Sequence, residues 1–86
     1  MIFVAGLIWD DWNRQHLAKH NLSPEEVETA CKNQISSVIS YRNRLLVTGK
    51  TNDGKVLVIV LSPENVQLKN YGNDIYYVVT AYERKK

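Results

Sequence analysis

Val56–Leu57–Val58–Ile59–Val60–Leu61 is the segment that most constrains the fold. Strand side chains alternate between two faces, so a run apolar at both parities is a strand with apolar neighbours above and below. Such a strand belongs in the middle of a sheet. Pro63 stops it, because proline has no N–H for the ladder. Asn52–Asp53–Gly54 precedes it and reads as a three-residue hairpin loop with glycine at positive φ. The partner strand is then 44–51, and the hairpin 44–61 is the nucleus around which the other elements must fit.

The segment before the hairpin is helical. Asp10 is an N-cap for a helix over 11–20, and Asn21 suits the left-handed position after it. Ser23 and Glu26 form a capping box, with Pro24 at the first position of a second helix ending near Asn33. Val27, Ala30 and Cys31 share one face of that helix. Residues 2–9 read as a first strand, 35–41 as a further strand, 64–74 as a polar loop, and 75–82 as a last strand rich in aromatic and β-branched residues. The pattern predicts an α+β fold, one domain over 1–86, with a helical hairpin on one face of a mostly antiparallel sheet.

A chain of 86 residues buries roughly 60–65% of its unfolded surface, so its core is modest. Together with the nearly apolar central strand, this suggests that a partner covers part of the sheet. The single cysteine, Cys31, permits no internal disulfide and reads as a small buried hydrophobe. No apolar run reaches the roughly 20 residues that span a bilayer. The apolar start has no basic lead-in and runs into Asp10 and Asp11, so it reads as a strand, not as a signal peptide. A cytoplasmic location is the expectation. Net charge is only +2, but its distribution is uneven. Asp10, Asp11, Glu25, Glu26 and Glu28 make the first third acidic. Arg42, Arg44, Lys50, Lys55, Lys69, Arg84, Lys85 and Lys86 make the remainder basic.

Trp9–Asp10…Asn13…Leu17…Lys19–His20–Asn21–Leu22–Ser23–Pro24–Glu25–Glu26–Val27 resembles the opening of the BrnT-type toxins of bacterial type II toxin–antitoxin modules. Arg44…Gly49–Lys50–Thr51…Asp53–Gly54–Lys55 with the apolar strand 56–61 resembles their central hairpin. Tyr77–Val78–Val79–Thr80–Ala81 resembles their last strand. The resemblance implies a fold similar to the RelE-type toxins and a ribonuclease that cleaves RNA without a metal or cofactor. It also implies a co-encoded antitoxin that neutralises the toxin and binds DNA. The family has Arg after the Ser/Thr–Ala pair of the last strand, where this chain has Tyr82, with Arg84 as the nearest arginine. The family pattern also runs on into a helical tail, and the sequence here reaches Lys86. The alternative is a protein of the same fold that has lost catalysis and binds RNA or a protein, which the change to Tyr82 favours.

Metal-free RNA cleavage needs a base for the 2′-hydroxyl, an acid for the leaving 5′-oxygen and cations for the phosphate charge. His20 is the acid–base candidate, since imidazole changes charge between about pH 5 and 8; binding to the helix-end carbonyls is its structural alternative. Arg44 and Arg84 join it as catalytic candidates, with Tyr82 to stack on a base or donate to phosphate. Lys19, Lys50 and Lys55 are the RNA-phosphate candidates. Arg44 and Lys50 are six apart and share a sheet face with Leu46 and Thr48. Lys55 is expected to join Lys50 near the hairpin end. His16 and His20 have zinc-ligand spacing but no evident third ligand, so no metal is expected. Trp9 and Trp12 read as packing residues, Asp10 and Asp11 as caps, and Asn13 as a surface amide or a group that orients a neighbour. Gly49 and Gly54 read as backbone devices.

Overall fold

A computed structural model describes residues 2–65, 67 and 69–84. Met1 at the apolar start, Val66 and Leu68 of the polar loop, and Lys85 and Lys86 of the basic tail lie outside the described residues. Among these, two helices, α1 (Asp11–Lys19) and α2 (Pro24–Lys32), follow β1 (Gly6–Ile8). Four strands come next: β2 (Gln34–Ile39), β3 (Leu45–Lys50), β4 (Val56–Ser62) and β5 (Ile75–Glu83). The sheet order is β1-β5-β4-β3-β2, so β4 is the middle strand, as its double-sided apolar pattern requires. β2 to β5 form an antiparallel meander, and β1 closes the far edge parallel to β5. The first strand is shorter than 2–9, because only Gly6, Leu7 and Ile8 pair with β5.

Both helices lie on one face, α2 over β3 and β4 and α1 over β5. Leu17 and Val27 meet Val47, Leu57, Ile59, Leu61, Val78 and Ala81 in a core from which solvent is excluded. Gly49 is what lets α2 come so close. A Cβ at Gly49 would stand 1.9 Å from the Ala30 carbonyl oxygen, so only glycine fits there. Gly54 has φ 89°, the left-handed turn position expected of it. Asn21 takes φ 59° after α1, and Ser23 caps α2 in the reciprocal box with Glu26. Cys31 is buried among the core residues. No helix among the described residues is long and apolar enough to cross a membrane.

Asn13 corrects the reading of it as a surface amide: it is 1% exposed. Its Oδ1 accepts from the Asp10 N–H at 2.8 Å while its own N–H donates to Asp10 Oδ1 at 2.9 Å. Its Nδ2 donates to the Ile8 carbonyl at 3.0 Å and the Val78 carbonyl at 3.1 Å. β1–β5 pairing stops at Ile8↔Tyr77, so the Asn13 amide takes over where the parallel ladder ends. Trp12 corrects a second expectation. Trp9 is partly buried against the core, but Trp12 is 58% exposed and stacks on His16 with centroids 5.2 Å apart.

Candidate functional site

The helices leave the other face of the sheet bare. Alternation assigns Leu46, Thr48 and Lys50 of β3 to that open face, with Val56, Val58 and Val60 of β4 opposite them. Thr80 pairs Val60 and Tyr82 pairs Val58, so these two share the face. The Arg84 N–H donates to the Val56 carbonyl at 2.8 Å, which continues the register and keeps Arg84 on Tyr82's side. The middle of the face is therefore mostly apolar, a valine row on β4 beside Leu46, Thr48 and Thr80, and charged groups gather at its two ends.

At the β3–β4 hairpin end, Lys50 and Arg84 flank Val56 on neighbouring strands. Two strand spacings put their Cα atoms about 10 Å apart. Tyr82 stands one residue pair further in, 43% exposed. These three of the sequence candidates are brought together. Lys55 is not with them, which corrects the expectation that it joins Lys50. It lies on the helix side of β4, where its Nζ donates to Glu26 Oε2 at 2.9 Å. That hydrogen bond raises the Lys55 pKa and holds the Glu26 carboxyl below its ordinary range. Lys55 thus ties the start of α2 to the hairpin.

Lys19 and His20 end α1 in the helical layer, both exposed. His20 is the C-cap, its backbone N–H donating to the Leu17 carbonyl at 2.9 Å and its ring edge-on to His16 at 5.5 Å. The turn after it leads directly into Glu26 and so to the hairpin end of the sheet. Arg44 is at the opposite end of β3. Six strand residues separate it from Lys50, about 20 Å. Lys19 and His20 are thus not brought together with Arg44, being in a different layer and at a different end. Arg44 and Lys50 do share a face, as their even spacing predicts.

Arg44 instead lines a groove of about 620 Å³ with Trp12, Arg42, Tyr71, Tyr77 and Glu64 among its walls. Tyr71 and Tyr77 stack at 6.1 Å. The Tyr77 hydroxyl donates to both Asp10 oxygens, at 2.9 and 3.1 Å. Partial burial first, and then the Asp10 carboxylate, push this phenol up to about 12, so it stays a donor. Asp10, the exposed α1 N-cap, thus also anchors the Tyr77 hydroxyl.

Arg42 carries the least expected geometry. The β2–β3 hairpin closes with Arg42 at φ 58° and Asn43 at φ 60°, and the Arg44 N–H donates to the Tyr41 carbonyl at 3.2 Å. Hairpin turns ordinarily fill such positions with Asn or Gly. Four described non-glycine residues have positive φ, and the other three, Asn21, Asn43 and Asp74, are of the tolerant types. A left-handed residue with a long side chain costs about 1–2 kcal/mol. Arg42, Trp12 and Tyr71 were not singled out by sequence as site residues. The signal that could have found Arg42 is Tyr41–Arg42–Asn43–Arg44 lying between two strands with no glycine.

No group of three or more metal-ligating side chains is found among the described residues. No protein-family profile, curated protein or solved structure matches the chain.

Proposed function

We propose that this protein is a ribonuclease toxin of the type II toxin–antitoxin kind, and that RNA lies on the open face of its sheet. The observation that carries the reading is the gathering of Lys50, Arg84 and Tyr82 at one end of that face. Two cations on side chains whose Cα atoms are about 10 Å apart can bracket a phosphate whose charge grows in the transition state. The Tyr82 hydroxyl beside them can donate to a phosphate oxygen. The motif resemblance of the two helices, central hairpin and last strand supports the same reading. The apolar middle of the face suits a protein partner, and a neutralising antitoxin laid there would cover the RNA path.

One observation favours the alternative of an inactive RNA- or protein-binding module. The imidazole candidate, His20, ends a helix and does not stand on the open face with the cations. Tyr82 also occupies the position where the resembling family has arginine.

Incubation of a defined RNA with the purified protein in EDTA tests this, beside Tyr82→Phe, Arg84→Ala and His20→Ala. The ribonuclease reading expects cleavage in EDTA that falls at least about tenfold in Tyr82→Phe or Arg84→Ala. Loss in His20→Ala alone would move the reaction to the helical layer. Intact RNA with folded protein, on free RNA and on translating ribosomes, would leave the binding module.

A further inference from the structure

We propose that the groove at the β2–β3 turn is a nucleotide subsite, holding one unpaired base and its phosphate from a single-stranded RNA. This rests on the reading of the open face as the RNA side, and it adds a second contact point about 20 Å from Lys50. Three observations carry it. The groove has about 620 Å³, within the range of sites that enclose a small ligand. Its walls pair aromatic rings, Trp12 and the Tyr71–Tyr77 stack, with two guanidinium groups, Arg42 and Arg44. Rings for a base face and forked cations for a phosphate are the combination that single-stranded nucleic acid requires.

The third observation is the turn itself. Arg42 occupies a left-handed position that glycine would fill without strain, and its guanidinium lies over the Tyr41 ring at 5.4 Å while it lines the groove. A strained residue held where an easier one exists points to a use for its side chain. Of the two carboxylates in the walls, Asp10 accepts from the neutral Tyr77 hydroxyl and keeps its charge. Glu64 makes no side-chain hydrogen bond or ion pair among the described residues, so the two carboxylates balance the two arginines in formal charge, and a phosphate is held by the forked guanidinium donors and not by net charge.

Arg42→Gly separates the two roles of this residue. It relieves the backbone and removes the cation, so the variant unfolds at a higher urea concentration than the parent. Binding of a fluorescein-labelled eight-nucleotide single-stranded RNA weakens about tenfold, with a shallower salt dependence. Trp12→Ala, at an exposed position, weakens it by a similar factor without changing the salt slope. Binding equal to the parent's in both variants, while parent and variants still bind and cleave RNA, would overturn the subsite and leave the ribonuclease reading standing. Adenosine monophosphate and guanosine monophosphate serve as the second arm. If the parent binds these and not the RNA, and Arg42→Gly abolishes it, the site takes a free nucleotide and the RNA reading fails. No binding of either ligand by the folded protein overturns both.

Discussion

Replacing Asn13 with alanine removes the joint between the end of β1, the start of α1 and the middle of β5. Three side-chain hydrogen bonds vanish, those from the Asp10 N–H and to the Ile8 and Val78 carbonyls. Each is worth about 1 kcal/mol net, and the groups left unpaired in a buried place add about 1–3 kcal/mol more. The sum is a loss of about 4–6 kcal/mol. A domain of this length has about 4–13 kcal/mol in all, so the variant should sit close to unfolding. Asn13→Asp should be worse at pH 7, since it sets a carboxylate oxygen against two carbonyls. Urea unfolding at 25 °C, followed by tryptophan fluorescence, reads both. A cycle with Asp10→Ala should show coupling of about 0.5–3 kcal/mol, because the two side chains cap each other's backbone. A loss below about 1 kcal/mol for Asn13→Ala would refute the account of Asn13 as the continuation of the parallel ladder.

Gly49→Ala puts a methyl into the Ala30 carbonyl and should cost about 3 kcal/mol or more, seen as a lower urea midpoint. Glu26→Gln keeps an oxygen for the Ser23 cap but loses the charge facing Lys55. The folded Glu26 carboxyl titrates below its ordinary value, so its contribution is present above the unfolded pKa and disappears as pH falls through the folded one. Lys55 is shifted up, so the same contribution also fades as pH rises through its folded value, above 10.5. The parent should therefore exceed Glu26→Gln in thermal midpoint at pH 7, and the gap should close below about pH 4. The Cys31 thiol is pushed up to about 12, first by burial and then by nearby Glu28. Iodoacetamide at pH 8 should label it only as the protein opens, at rates that track urea unfolding.

Local signals were legible in the sequence. The two helix starts, the left-handed Asn21, the loop ending at Gly54 and the central position of β4 each depend on residues close together in the chain, and all are found as expected. The long-range features were not legible. The Asn13 amide reaches a carbonyl 65 residues away, and nothing near position 13 announces that acceptor. Lys55 looked like a companion for Lys50, but one step of strand parity sends it to the helix side and to Glu26. The same parity argument placed Arg44 and Lys50 on one face correctly but says nothing of the distance between them. His20 and Arg44 could be set side by side on paper because no sequence rule assigns a helix end to one end of a sheet. Arg42 escaped notice because its backbone is an exception to the preferences by which turns are read.

The parallel edge of the sheet sets a schedule for assembly during translation. Among the described residues β1 finds its only strand partner in β5, roughly 70 residues later, and α1 packs on that same strand. At synthesis rates of 5–20 residues per second, β1 waits roughly 3–14 s for its partner to be made. In that interval α2 and the β2–β3–β4 meander can close on themselves, since their contacts are nearer in sequence. β4 meanwhile presents one unpaired apolar edge, the one that β5 later covers. The nascent chain is therefore most open to aggregation, or to capture by a chaperone, in the last seconds before β5 emerges.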